Sequence, residues 1–191
     1  LFRSLKADGV DYTERMALVE DVTGRQLTPD GTPADGGRLE PAVQALLLGK
    51  ASTAAERGIE WSLEIDPEAP RSVLTAVDAV SVFGNLIDNA LDAAGEGGEP
   101  RWVEVSISRV EPNRLVFAIA DSGPGFAPGI EARMFDEGVS TKPADASGRG
   151  VGLALVRSIV DAAGGSIEVS QAPTLFTVTL PGRPAQEGHR D

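Results

Sequence analysis

Two pairs of strand-forming runs, set apart by a helix, constrain this chain more than any other feature. Trp102–Val110 alternates apolar and polar residues, and after a short break Leu115–Ala120 is almost continuously apolar. Strands this close in sequence pair antiparallel. A second pair, Ile167–Ser170 and Leu175–Leu180, closes as a hairpin. Ahead of the first pair, Ile59, Trp61, Leu63 and Ile65 alternate as a half-buried strand does, and a long helix follows over about Val73–Ala94. Another helix covers Val151–Ala163 and stops at Gly164–Gly165. The order strand, helix, two strands, loop, helix, two strands excludes a doubly wound sheet. It predicts an α+β fold, a two-layer α/β sandwich whose mixed sheet carries its helices on one face.

Composition narrows the chemistry. The 191 residues carry a formal net charge of −12, which repels nucleic-acid phosphates and anionic membrane surfaces. No cysteine is present, so disulfides, thiolate catalysis and cysteine zinc sites are excluded. Aromatic residues are 5% against 41% hydrophobic, so the core is built from Leu, Val, Ile and Ala. No apolar run approaches the ~20 residues of a membrane span, no signal peptide is visible, and the chain is expected to be soluble. It starts at Leu1 rather than Met, which suggests a fragment.

The first part of the chain reads differently from the rest. Residues 1–26 are expected to be helical: Asp11 and Glu14 resemble a capping box, and Tyr12, Met16 and Val19 recur at helical spacing. Residues 27–38 are rich in Pro, Gly and Asp and read as a connector. Pro41 suits the first turn of a second helix that carries Val43, Leu46, Leu47, Lys50 and Ala54 on one stripe and ends at Arg57–Gly58. Two short helices joined by a loop look like an incomplete hairpin that would bury its stripe best against a partner. The expected organisation is thus residues 1–57 as part of a helical hairpin, 58–182 as the sandwich domain, and 183–191 as a disordered tail.

Three stretches carry chemistry. On the long helix, Val80, Phe83, Gly84, Ile87, Leu91 and Ala94 gather on one side, and Ser81, Asn85, Asp88, Asn89 and Asp92 on the other. Asn85, Asn89 and Asp92 fall within about 60° of each other. Mid-helix asparagines are locally unfavourable. They read either as a solvated face or as a row of amides facing a ligand, where an amide oxygen can complete a Mg²⁺ shell built on phosphates and water. The run DSGPGF at 121–126 follows the apolar strand. It is an ordinary Asp-Gly turn, or else Asp121 accepts from the exocyclic amine of adenine while Gly123 and Gly125 let the backbone approach closely. A carboxylate there would repel the carbonyl that guanine presents, so Asp121 would select ATP over GTP. In GRGVGLALVRSIV, Gly148, Gly150 and Gly152 lead into a helix whose N-terminal N–H groups suit phosphate oxygens. The spacing fits neither a Rossmann fingerprint nor a P-loop. The polar stretch from Asp136 to Arg149 has the composition of a mobile lid, from which Lys142 and Arg149 can reach terminal phosphates.

Taken in this order, the stretches resemble the boxes of the superfamily that joins gyrase, heat-shock chaperones, mismatch-repair ATPases and histidine kinases, whose nucleotide domain has the Bergerat fold. Asn85 and Asn89 match its asparagine box, and Asp121, Gly123 and Gly125 its first glycine box. Phe135 through Lys142 matches the phenylalanine box of the kinases, and Gly148, Gly150, Gly152 and Leu153 the second glycine box. Thr174 sits where the family often keeps a threonine near the adenine. The resemblance covers about residues 59–181, and GNLIDNALDAA and ALLLGKASTAAERGI look like the histidine kinases that sense citrate and C4-dicarboxylates.

The resemblance implies ATP with Mg²⁺ as the bound cofactors, Asn85 as the metal ligand, and Asn85, Asn89 and Lys142 as the catalytic set. It implies nucleotide contacts from Asn89, Asp92, Asp121, Gly123, Gly125, Phe135, Lys142, Gly148, Arg149, Gly150, Val151, Gly152, Leu153 and Thr174. The implied partners are a response regulator and the protein's own phosphoacceptor helix in a homodimer, and the implied location is the cytoplasmic side of a membrane-anchored protein. The acceptor histidine belongs upstream of Leu1, and the single histidine, His189, lies in the tail. Two positions depart from the pattern. Ser81 stands where many ATP-hydrolysing relatives carry a carboxylate, so intrinsic hydrolysis is expected to be poor. Asp92 stands where many kinases have Lys. The competing readings are a chaperone-type ATPase switch, a serine kinase of the same superfamily, and a nucleotide-free docking or dimerisation module.

Overall fold

The computed structural model describes residues 39–110, 113–126, 129–130, 133–136, 152–171 and 173–183. The helix expected over 1–26, the connector 27–38, almost all of the lid and the tail lie outside the described residues. The chain divides into two compact units, Leu1–Gly37 and Arg38–Asp191, and the architecture below is that of the second.

Its elements are α1 (Pro41–Glu56), β1 (Glu60–Ile65), α2 (Ala76–Glu96), β2 (Trp102–Val110), β3 (Arg114–Asp121), α3 (Gly152–Ala162), β4 (Ser166–Ser170) and β5 (Thr174–Pro181). The five strands form one sheet in the order β1-β2-β3-β5-β4, parallel between β1 and β2 and antiparallel elsewhere. This is the mixed sheet that the two strand pairs predict. Alternation places Val103, Val105 and Ile107 of β2, Leu115, Phe117 and Ile119 of β3, and Phe176, Val178 and Leu180 of β5 on one buried face.

The long helix α2 covers that face. Val82, Phe83, Leu86, Ile87, Ala90, Leu91 and Ala94 are buried, and the Phe83 ring stacks on Phe117 with centroids 4.2 Å apart. Burying an aromatic pair of this kind stabilises the layers by several kcal/mol, judged from the ~3–5 kcal/mol cost of Phe-to-Ala substitutions in cores. The helix starts three residues later than its apolar spacing suggests. Thr75 is the N-cap: its hydroxyl accepts the Asp78 N–H at 3.1 Å and donates to the Asp78 carboxylate at 2.7 Å. Val73 is instead pinned to the sheet, its N–H donating to the Pro181 carbonyl. Ahead of Phe135, the N–H groups of Arg133 and Met134 both donate to the Ile130 carbonyl.

α1 takes the position expected from Pro41 and Gly58, but its stripe is not left waiting for a partner. Val43, Leu47 and Ala54 are buried in the same core as α2, and Leu46 packs over Gly84. Lys50 is paired with Asp88, and Arg57 with Asp92 at 2.8 Å. Contacts that advance together along both helices mean that α1 and α2 run in the same direction. Packing is therefore continuous from α1 into α2 and the sheet.

Candidate functional site

The site is built along one side of α2, between the end of β3 and the start of α3. β3 delivers Asp121 on its inward-facing register, in line with Leu115, Phe117 and Ile119, so the last residue of an apolar strand buries a carboxylate. Asp121 is only 2% exposed. Its Oδ1 accepts the Gly123 N–H at 2.8 Å. Burial pushes its pKa up from 3.8 to about 6, and the Gly123 hydrogen bond offsets part of that rise. Directly across the ladder stands Thr174 of β5, also buried. Among the described residues the Thr174 Oγ1 has no hydrogen-bond partner. A buried hydroxyl left unpaired costs about 1–3 kcal/mol, and in a native protein it points to a ligand or an ordered water. A buried acceptor and an unpaired hydroxyl side by side suit the amine-and-ring-nitrogen edge of adenine.

The glycine turn after β3 holds this end of the site against α2. A Cβ on Gly123 would lie 2.7 Å from both the Ala93 Cβ and the Asp121 Oδ1, so only glycine lets the turn approach the helix this closely. Gly125 has φ +77°, in the left-handed region. Ser122 anchors the turn: its hydroxyl oxygen accepts the Trp102 N–H at 2.9 Å and its own N–H donates to the Trp102 carbonyl. Phe126 then packs edge-on against Phe176.

The other end of the site is where α3 begins. Asn85 donates from Nδ2 to the Ser81 carbonyl one turn earlier, at 2.7 Å, and this fixes its amide. Its Oδ1 faces Gly152, the first residue of α3, where a Cβ would come within 2.7 Å of that oxygen. The asparagine row thus meets a helix N-terminus with its free N–H groups and positive dipole end. Asn89, one turn further along, is half-buried on the same side. From Asn85 at Gly152 to Ala93 at Gly123, α2 advances about 12 Å, the scale of an extended nucleoside triphosphate.

Most of the described residues named from sequence gather here. Asp121, Gly123, Gly125 and Thr174 form one end, and Asn85, Asn89 and Gly152 the other. Leu153 is half-buried against the core beside Gly152. Phe135 packs against the same core, and the Arg157 guanidinium of α3 lies 4.4 Å from its ring centroid, a cation–π contact. Asp92 lies on the expected stripe, but Arg57 engages its carboxylate. Lys142, Gly148, Arg149, Gly150 and Val151 lie outside the described residues. Sequence reasoning missed the orienting carbonyl of Ser81, the Arg157–Phe135 contact, and the ion pairs from α1. Of these, only Ser81 had a readable signal, its spacing four residues before Asn85.

Among the described residues no group of three His, Cys or acidic side chains is placed to hold a metal. The donors present are the neutral amides of Asn85 and Asn89, which fit a Mg²⁺ ion whose other ligands are phosphate oxygens and water. No described helix is long and apolar enough to cross a membrane.

Comparison with known proteins agrees with this geometry. Residues 75–184 match the model of the histidine kinase-, DNA gyrase B-, and HSP90-like ATPases. The sensor protein CitS of Halalkalibacterium halodurans is 36% identical over 78% of this chain, which covers 28% of that relative. The sensor histidine kinase DcuS of Escherichia coli K12 is 38% identical over 72% of this chain, and 25% of that relative is covered. The chain thus spans about a quarter of the length of these relatives. Among solved structures, the catalytic domain of histidine kinase ThkA superposes with a TM-score of 0.63 at 22% identity, covering 74% of this chain and 90% of that one. The mycobacterial sensor histidine kinase MprB gives 0.61 at 24%, covering 74% and 95%. These two likenesses speak to the fold. With an asparagine row on α2, a buried carboxylate at the end of β3 beside it, and a family match across both, the chain belongs to the histidine kinase-, DNA gyrase B-, and HSP90-like ATPase family.

Proposed function

We propose that this chain is the ATP-binding kinase domain of a two-component sensor histidine kinase. Its task is to move the γ-phosphoryl group of ATP to a histidine on a dimerisation helix upstream of Leu1, in a homodimer, for onward transfer to a response regulator. The full protein is membrane-anchored, with this part on the cytoplasmic side. In this reading residues 1–57 belong to the dimerisation and phosphoacceptor hairpin. The observation that carries the reading is the pairing, along α2, of an adenine-type site at Asp121 and Thr174 with an amide and helix-terminus site at Asn85 and Gly152.

Each residue has a task within it. Asp121 accepts from the adenine amine, and Thr174 completes that edge. Asn85, its amide fixed by Ser81, presents its oxygen to Mg²⁺, and Asn89 contacts metal or phosphate beside it. Mg²⁺ supplies charge neutralisation of the phosphates. Gly152 and the glycines before it admit the phosphates to the start of α3, while Lys142 and Arg149 approach them from the lid. An N–P bond forms at the imidazole as the bond from the γ-phosphorus to ADP breaks. The protein contributes position and charge balance, as phosphoryl transfer requires. Neutral imidazole is already nucleophilic, which suits Ser81, where a water-activating carboxylate would otherwise stand.

The test is phosphotransfer to a separately supplied hairpin that carries the acceptor histidine. Wild-type protein should label it at histidine. Asn85→Ala and Asn89→Ala should each abolish labelling while leaving thermal unfolding close to wild type. Normal labelling by both variants would remove the metal and phosphate assignment, and labelling at serine would point to the serine-kinase branch.

A further inference from the structure

α2 is both the floor of the nucleotide site and the docking surface for α1, and the two uses meet at Asp92. This carboxylate lies one turn beyond Asn89 on the same side of the helix, and next in sequence to Ala93, against which the Gly123 turn is seated. A nucleotide lying between Asn85 and Asp121 therefore passes Asp92 with its negative charge. The chain already carries a net −12. Arg57 answers this. It is the C-cap residue of α1, with its own N–H held by the Thr53 and Ala54 carbonyls, and its guanidinium meets the Asp92 Oδ1 at 2.8 Å. Both side chains are partly exposed, 47% and 41%, so the pair adds little to stability. Its consequence is electrostatic.

We propose that Arg57 is a charge-compensating positioning residue of the nucleotide site: from outside the sandwich it offsets Asp92, so that α2 can receive a polyphosphate. The inference rests on the ATP-binding reading above. It makes α1 part of the binding machinery rather than only a link to the upstream chain. Lys50 and Asp88 join the same two helices one turn earlier, with Asp88 three residues beyond Asn85 as Asp92 is three beyond Asn89.

Titration calorimetry with Mg·ATP and with adenosine, on this chain and its variants, tests the idea. Arg57→Ala should weaken ATP binding about three- to tenfold at low salt, the scale of a unit charge near a multiply charged anion in solvent-rich surroundings, and the difference should shrink at high salt. Adenosine, which has no phosphate, should bind both proteins alike. Arg57→Lys and the double variant Arg57→Ala/Asp92→Asn should both recover wild-type affinity. No recovery in the double variant, or a matching loss for adenosine, would each overturn the proposal in favour of simple helix docking. Unchanged ATP affinity in Arg57→Ala would overturn this inference alone, whereas a wild-type chain that binds no ATP would remove the ATP-binding reading and this inference with it.

Discussion

Thr174 stands directly opposite Asp121 on neighbouring strands, both are buried, and among the described residues the threonine hydroxyl has no partner. An unpaired polar atom beside a buried carboxylate costs stability, and in the proposed reading a ligand offsets that cost. Thr174→Val replaces the hydroxyl by a methyl group of nearly the same shape. Without nucleotide it should be as stable as wild type or more so, by up to about 1 kcal/mol, while ATP affinity falls several-fold. Thermal unfolding with and without ATP checks both halves. A variant that is destabilised without nucleotide and binds normally would mean that the hydroxyl is satisfied within the protein.

Asp121 gives a pH dependence with two opposite signs. Its pKa is raised from 3.8 to about 6 on folding, so between these values the folded state holds more protons than the unfolded one. Stability from this group is therefore greatest at low pH and falls as pH rises through about 6, by on the order of 3 kcal/mol. In the proposed reading adenine recognition needs the carboxylate, so ATP affinity should rise over the same interval. Asp121→Asn should flatten both trends relative to wild type and unfold at higher denaturant near neutral pH. Urea titrations of the two proteins at several pH values decide it, and parallel pH profiles would contradict the assignment.

Two glycines should fail in different ways. A Cβ at Gly123 meets the backbone carbon of Ala93 at 2.8 Å as well as the Ala93 Cβ, and neither can give way easily. Gly123→Ala should cost about 1–3 kcal/mol of stability and ATP binding with it. The nearest atoms to a Cβ at Gly152 belong to the side chain of Asn85, which can move aside at the cost of its hydrogen bond to the Ser81 carbonyl. Gly152→Ala should therefore unfold within about 1 kcal/mol of wild type yet lose Mg²⁺-dependent ATP binding, because the amide oxygen is displaced. Denaturant melts paired with ATP titrations separate the two outcomes, and normal ATP binding by Gly152→Ala would detach Asn85 from the phosphate end.

Much of this was legible in the sequence because period alone decides it. The two-residue alternation of 102–110 and the continuous run at 115–120 specify paired strands, and the 3.6-residue spacing of Phe83, Ile87, Leu91 and Ala94 specifies the buried face of α2. The polar stripe of Asn85 and Asn89 follows from the same period. What stayed hidden depends on register and on contacts between distant segments. That Thr174 faces Asp121 is set by which β3 residue pairs with which β5 residue, and local pattern carries no trace of it. Asp92 reads as a ligand-facing residue until α1 brings Arg57 onto it from 35 positions away. The start of α2 slipped because Val73 fits the helical spacing, while the Thr75–Asp78 cap, a polar contact, sets where the helix begins.

The most direct test of the central claim is calorimetric titration of this chain with ATP and with GTP, each with and without Mg²⁺. The account predicts Mg²⁺-dependent ATP binding with little GTP binding, and loss of that discrimination in Asp121→Asn. A folded chain that binds neither nucleotide, or binds GTP as well as ATP, would contradict it.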